Sequence, residues 1–331
     1  MEKNILKKLQ GKGLIIHHWD TDGICSATLL LKHLHDKNID NKTPELGNYY
    51  LTKKELQEYS KKYDYIIIAD MSLPEDNILK LAKKSEILIF DHHLGKEIKQ
   101  AYHHNPIIKG ENPDKHPSAS WIINTYLNNP INIYAILGII GDHEQKIKNN
   151  PVFYKIITDF CKENHLTFND LLKMVYLIDT NYKIGDKKAV EEAPKKLLTI
   201  DSPDDILNNE KWNKNLEKLN KEIQKILDQP HEEINNAIVF KKINTPYNII
   251  STITRKIAWN TGKNTLIINT GFFNNMDQIY TRSNNKNMEL MIKRGKELGF
   301  KCGGKKEVLG AIVPKEKTDD FVIELIDFLK K

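Results

Sequence analysis

Cysteine is almost missing from this chain: Cys25, Cys161 and Cys302 are the only three in 331 residues. They are too far apart for a disulfide framework or a CxxC metal knuckle, which points to a reducing, cytoplasmic setting. No apolar run approaches the ~18 residues a membrane span needs. The opening stretch MEKNILKKLQGKG lacks the apolar core of a secretory signal. Arginine is scarce while lysine, isoleucine and asparagine abound, which reads as genome composition. Neither sign of charge dominates: 50 basic residues against 44 acidic give a net +6, which permits a polyanionic partner without demonstrating one. With 40% hydrophobic residues, wholesale disorder is excluded. At 331 residues the chain is too long for a single small core, so one or two domains are expected.

What is present is an alternation of short apolar runs and helical patterns. Gly13–His18, Tyr65–Ala69 and Ile87–Phe90 read as buried strands, separated by helical stretches at Ile24–Leu34 and Ile78–Lys84. Continuous apolar strands between helices predict βαβ units and a parallel sheet covered on both faces. Helices are expected at 118–128 and 132–144, and the block 151–200 reads as mostly helical. Ser202-Pro203-Asp204-Asp205 is a strong helix start. Trp212, Leu216, Leu219, Ile223 and Ile226 then form one narrow apolar stripe, either a connecting helix packed on a domain or a partner-binding helix. Gln229-Pro230 is expected to end it. Residues 236–331 form a second α/β pattern, with strands at 237–240, 265–269, 278–282 and 308–313 and helices at 249–258, 288–298 and 319–329.

The chemistry collects at strand ends. The first strand runs into Asp20-Thr21-Asp22-Gly23, the second into Asp70, the third into Asp91-His92-His93. Parallel strands would bring these segments to one sheet edge, where open α/β sheets bind ligands. Gly141-Asp142-His143-Glu144 follows an apolar stretch and could reach the same edge. Each piece alone has a bland reading: Asp22 could be a helix N-cap, and a His-His pair is more often surface or core, as Tyr102-His103-His104 illustrates. Together, four acids and several histidines at equivalent places would be costly like-charge crowding without a cation between them. Carboxylates with imidazole and no thiolate suit Mn²⁺, Fe²⁺, Co²⁺ or Zn²⁺. Four carboxylates exceed the needs of one divalent ion, so two ions sharing an aspartate are expected, an arrangement suited to phosphoryl hydrolysis.

These motifs resemble the DHH phosphoesterase superfamily: Asp-x-Asp-Gly, a strand ending in Asp, Asp-His-His, and a further Asp, in that order. Arg282-Ser283-Asn284 and Gly303-Gly304 before the last strand resemble its C-terminal DHHA1 domain. The likeness is greatest to archaeal RecJ-like nucleases, including a small helicase-associated member. It implies a parallel-sheet DHH catalytic domain over residues 1–200, a linker helix over 201–230 and a smaller α/β DHHA1 substrate-binding domain over 231–331, with a cleft between them. It implies Asp20, Asp22, Asp70, His92, Asp142 and His18 as metal ligands, with Asp70 bridging. Asp91 would orient a histidine and His93 would contact the scissile phosphate or metal. Of the neighbouring His17 and His18, at most one should face the site.

Arg282, Ser283, Gly303, Gly304, Lys305 and Arg255 would bind substrate through backbone amides and positive charge. Taken alone, Gly303-Gly304 also reads as an ordinary turn and Arg282 as a solvated strand residue. Where the family carries a histidine after the glycines, this chain has Lys305, which can hold a phosphate but cannot shuttle protons. The implied activity is a Mn²⁺-dependent exonuclease, with Co²⁺ or Mg²⁺ as alternative ions. It would act on single-stranded DNA or RNA, leaning to the 3′→5′ direction, in repair, replication or turnover. The alternatives are a phosphodiesterase for short oligonucleotides or cyclic dinucleotides, and a weakly catalytic binding subunit. A repair helicase is the implied protein partner; no membrane is expected.

Overall fold

Buried strands need hydrogen-bonded neighbours, and the apolar runs find them in two separate sheets. The structure is a computed structural model that describes residues 5–330. It divides into two compact units: the first runs to Tyr182 and resumes over Asp186–Asn213, and the second comprises Lys183–Gly185 and the chain from Lys214 onward.

In the first unit a short helix α1 (Ile5–Lys8) precedes β1 (Gly13–His17), α2 (Thr21–His33), β2 (Ile39–Lys42), α3 (Lys53–Lys62), β3 (Tyr65–Ala69), α4 (Glu75–Ala82), β4 (Glu86–Phe90) and β5 (Tyr102–His104). The five strands pair in parallel in the order β2-β1-β3-β4-β5. All five residues of both β1 and β3 are buried, as expected for a parallel sheet covered on two faces. On one face Ile15, Ile67, Leu88 and Phe90 pack with Ala27 and Leu30 of α2 and with Leu34, the residue that ends it. The helical block follows as α5 (Ala119–Tyr126), α6 (Ile133–His143), α7 (Pro151–Glu163), α8 (Phe168–Lys183), α9 (Lys187–Leu198) and α10 (Pro203–Leu207). Side chains of Ser118, Asn132, Asn150 and Ser202 cap α5, α6, α7 and α10, each satisfying amides that a helix start leaves unpaired.

Helix α11 (Glu210–Asp228) begins in the first unit and lies mostly in the second. The helix start at Ser202 does not run into it, because α10 ends at Leu207. The apolar stripe is buried at home: Leu219, Ile223 and Ile226 pack with Val239, Ile253 and Ile267 of their own unit. That removes it as a free partner-binding face. The second unit continues with β6 (Glu232–Ile234), β7 (Ile238–Ile243), α12 (Ile250–Thr261), β8 (Asn264–Asn269), β9 (Met276–Arg282), α13 (Glu289–Glu297), β10 (Lys301–Lys305), β11 (Val308–Pro314) and α14 (Thr318–Lys330). Its sheet order is β10-β11-β9-β8-β7-β6, with only β7 and β8 parallel.

The sequence reading missed β2, β5, β6 and β10, all at or next to a sheet edge. These are short and polar, so no apolar alternation marks them. The miss matters at Gly303-Gly304, which lie inside edge strand β10 and not in a loop before the last strand. Gly304 has φ +150°, and a Cβ there would stand 2.0 Å from the Val308 carbonyl oxygen, whereas Gly303 faces open space.

Candidate metal centre

The sheet of the first unit delivers its chemistry one residue beyond the strands. Ladder hydrogen bonds continue past their ends: His18 N donates to Ala69 O (3.3 Å), Asp70 N to Phe90 O (2.9 Å) and Asp91 N to His104 O (3.3 Å). The backbone at three candidate positions is therefore fixed by neighbouring strands, at the place where the strand order reverses direction from β1 to β2 and β3. Asp70 pays for its position with a left-handed backbone, φ +58°, a conformation that aspartate tolerates better than most residues.

Asp20 is the N-cap of α2. Its Oδ1 accepts from Gly23 N at 3.1 Å, while Oδ2 lies 2.7 Å from His18 Nδ1. Asp22 is fully buried and also caps a helix, but α5 and not its own: its oxygens accept from Ala119 N (2.7 Å) and Ser120 N (2.9 Å). Asp70 lies between two imidazoles, 3.7 Å from His18 Nδ1 and 3.5 Å from His92 Nε2. Asp142 lies in the last turn of α6, inside the helix expected at 132–144, and its Oδ2 is 3.0 Å from His92 Nε2. Asp91 sits behind this group. It accepts from His93 Nδ1 (2.7 Å), His92 N (2.9 Å) and Ser72 Oγ (2.8 Å). That contact fixes the His93 ring and leaves Nε2 as its outward nitrogen. A cavity of about 180 Å³ opens beside Asp91 and His93.

Three overlapping sets of donor atoms result, each within 4.8 Å: His18, Asp20 and Asp70; Asp70, His92 and His93; Asp22, His92 and Asp142. Asp70 and His92 each belong to two sets. The electrostatics record the crowding. Burial, with Asp142 adding, pushes the Asp22 carboxyl up to about 6. Burial together with Asp22 and Asp20 pushes Asp70 well above the carboxylate range. Burial also opposes charge on Asp20, yet His18 beside it holds that carboxyl below the usual range. Burial disfavours a charged His92, and Asp142 and Asp70 outweigh it, raising the imidazole well above its ordinary value. Both ring nitrogens of His18, Asp70 Oδ1 and His92 Nε2 are buried without a directional hydrogen bond. Buried polar atoms without hydrogen-bond partners are rare, and divalent cations would engage Asp70 Oδ1, His92 Nε2 and one nitrogen of His18 and neutralise the carboxylates. The residues fit a metal.

Residues 12–137 match the DHH family, N-terminal domain. The first unit carries a DHH domain. No curated relative matches the sequence. The whole chain resembles RecJ from Thermus thermophilus, solved with Mn²⁺, at 15% identity over 99% of this chain and 54% of that one, with a TM-score of 0.73. This chain thus spans about half the length of that protein. A second exonuclease RecJ, bound to manganese, aligns at 15% identity over 99% of this chain and 93% of that one, with a TM-score of 0.69. A pGpG-specific phosphodiesterase from Vibrio aligns at 16% identity over 97% and 99% respectively, with a TM-score of 0.51. At these identities the likeness is one of fold.

Neighbouring candidates in the DHH domain turn elsewhere. His17 points its ring to the His18 carbonyl (2.7 Å) and Asn41 (3.4 Å), and burial lowers its pKa to about 4. His143 meets the Pro117 carbonyl at 2.9 Å, and Glu144 meets the Tyr176 hydroxyl at 3.3 Å. Sequence reasoning missed Asp179 of α8, whose Oδ1 accepts from Thr21 N (3.1 Å) and Thr21 Oγ1 (2.7 Å) and so fixes the first turn of α2. The available signal was an acid on the apolar stripe, one turn after Val175. Nothing local marked Ser72, or the packing of a tilted Trp19 and a stacked Tyr49 on the His18 ring, with centroids 4.3 and 5.6 Å away.

The expected substrate residues all belong to the second unit. Arg282 ends β9, its guanidinium 3.5 Å from Glu307. Lys305 is exposed on β10, opposite Val308, which in turn is opposite Arg282. Arg255 lies on α12. Ser283 is buried, and its hydroxyl is engaged with Asn264 Oδ1 and with the amides of Asn285 and Lys286. It holds a turn and does not offer a contact to solvent.

Proposed function

We propose that this protein is a metal-dependent phosphodiester hydrolase that removes nucleotides from the end of single-stranded nucleic acid. One observation carries the reading: seven carboxylate and imidazole side chains form three overlapping ligand sets at one sheet edge. In this reading Asp20, Asp22, Asp70, His18, His92 and Asp142 hold two ions, with Asp70 shared. Mn²⁺ is the expected ion, on the donor chemistry and on the manganese in two RecJ neighbours. A bound pair of divalent ions supplies an activated water and neutralises the charge that develops on the phosphate. Asp91 positions the His93 ring, and His93 Nε2 meets the scissile phosphate. The second unit is the substrate-binding domain, with Arg282, Lys305 and Arg255 facing phosphates and the Gly303 amide open to close approach.

The reaction direction is taken as 3′→5′, in repair or turnover, with a helicase as a protein partner. A second reading, turnover of very short oligonucleotides or dinucleotides, is favoured by the nearly full-length alignment with the Vibrio phosphodiesterase.

Single-stranded DNA and RNA of ~3 and ~30 nucleotides, below and above one binding groove, separate these readings. Each is labelled at the 5′ end and incubated with wild type or Asp70→Asn in Mn²⁺, Mg²⁺ or EDTA. Metal-dependent laddering of the long strand, lost in the variant, is expected and gives the direction. Cleavage of the short strands alone establishes the second reading. Absence of any cleavage by metal-loaded protein defeats both.

A further inference from the structure

Fifty residues of this chain are lysine or arginine, and only Arg255, Arg282 and Arg294 are arginine. Where positive charge alone suffices, the chain carries lysine. Arginine differs in its planar guanidinium, which forks onto carboxylates and lies against aromatic rings. Arg294 forks: its Nε and Nη2 donate to the two carboxylate oxygens of Glu324 at 2.8 and 3.0 Å. The other two converge on one indole. The guanidinium carbons of Arg255 and Arg282 lie 5.4 and 5.8 Å from the centre of the Trp259 ring.

Trp259 is 59% exposed, whereas Trp19 and Trp212 are 5% and 2% exposed. The core face of α12 is made by Ile250, Ile253 and Ile257, so the ring is not needed for packing. A single exposed apolar side chain is ordinary on a protein surface. Two arginines on it, in a chain with three, are not. Arg255 and Trp259 are one helical turn apart and share the outer face of α12. Arg282 and Lys305 are cross-strand partners of the same residue, Val308. They share a sheet face about 10 Å apart, two strand spacings. The second unit thus offers a largely exposed indole with two guanidinium groups set over its ring. A nucleotide matches that pattern, because it joins a flat aromatic ring to an anion one sugar away.

We propose that Trp259 is a stacking platform for a nucleobase of the single-stranded substrate, with the guanidinium edges of Arg255 and Arg282 meeting the flanking phosphates. Stacking of this kind accepts any base. The proposal deepens the reading of the second unit as the substrate-binding one and rests on it.

Binding of full-length protein in EDTA separates the platform from hydrolysis. The probes are a fluorescein-labelled DNA strand of ~10 nucleotides, the site size of one typical groove, and an abasic backbone of the same length. Trp259→Ala should weaken the base-bearing strand ~5- to 100-fold, the usual worth of one base–aromatic stack. Trp259→Phe should restore most of that affinity. The abasic strand should bind wild type and both variants alike. The proposal is overturned if Trp259→Ala binds the base-bearing strand as wild type does, if it loses both strands equally, or if wild type binds neither. Base-dependent binding through Trp259 in a protein that never cuts leaves this proposal standing while the hydrolase reading falls. Cutting with no dependence on the ring does the reverse.

Discussion

The two units use a sheet in opposite ways. In the DHH domain, parallel strands bring carboxylates and imidazoles to one edge. Asp22, Asp70 and Asp91 there are almost wholly buried, and neighbouring strands or helix amides hold them in place. In the second unit, Arg255 and Trp259 stand on an outer helix face, Gly303 and Lys305 lie exposed on an edge strand, and only Arg282, at the end of an inner strand, is mostly buried. The contrast follows from the ligands. A divalent ion accepts donor atoms only within a few tenths of an ångström, so its site must be rigid and dry. A single strand is a flexible polyanion that rings and cations bind tolerantly. A substitution in the first region should therefore act on metal and turnover, and one in the second on substrate affinity.

The largest effect should come from the sharpest form of that contrast. Asp70→Asn keeps the left-handed backbone accessible and removes the carboxylate shared by two ligand sets. Hydrolysis should fall by more than ~100-fold, since even partners behind metal ligands are worth 10- to 100-fold. The rise in Tm that Mn²⁺ gives wild type should vanish with it. Arg282→Lys keeps charge and loses the planar fork, so KM should rise ~10-fold, the worth of about one charge-assisted hydrogen bond, with kcat nearly unchanged. Steady-state kinetics and melting curves on the two variants check both. Similar kcat losses in both would erase the division of labour.

Next in size is a contact that acts on the metal edge from behind. Asp179→Ala leaves the buried Thr21 N without its acceptor, while Thr21 Oγ1 keeps only its longer bond to the Val175 carbonyl (3.2 Å). A loss of ~1–3 kcal/mol in urea unfolding is expected, the cost of unsatisfied buried donors. Asp179 also shows what the sequence could and could not disclose. The sheet was legible because its central strands are unbroken apolar runs, and Asp20, Asp70, Asp91 and Asp142 were legible because a motif order carries them. Asp179 was not, because it meets Thr21 across 158 residues and no spacing rule links them. The edge strands were hidden for a different reason: with one face or edge in water, they need no apolar pattern.

The paired glycines of β10 give a comparison inside the second unit. At Gly304 a Cβ would collide with the Val308 carbonyl, on a backbone that L-residues rarely adopt. Gly304→Ala should cost ~1–3 kcal/mol, the range for such strain. Gly303 opens to solvent, so Gly303→Ala should leave stability within ~0.5 kcal/mol, as at an ordinary surface position. Under the proposed function the added methyl at Gly303 weakens oligonucleotide binding, because it stands where a phosphate approaches the amide. Melting curves and anisotropy titrations on the pair separate a fold glycine from a contact glycine. Equal behaviour in both assays would remove Gly303 from the substrate surface.

The smallest effect concerns two histidine pairs on adjoining strands. His92 and His93 follow β4 and join the metal edge, whereas His103 and His104 lie on β5 and belong to no ligand set among the described residues. His104 packs against Phe90 and Tyr126, with centroids 5.7 and 4.9 Å away, and burial lowers its pKa to about 4. As pH falls from ~6.5, the ordinary histidine value, the unfolded chain takes up this proton before the folded one does. Stability is therefore lost progressively from there down to about 4, and His104 adds no further loss below that. Because the ring is partly exposed, solvent screening keeps the effect on the order of 1 kcal/mol. His104→Phe should remove that acid slope and leave Mn²⁺ binding unchanged. Urea unfolding at pH 7 and pH 4.5 reads the slope as the difference between wild type and variant. A variant that keeps the slope but loses the metal would place the second pair in the site after all.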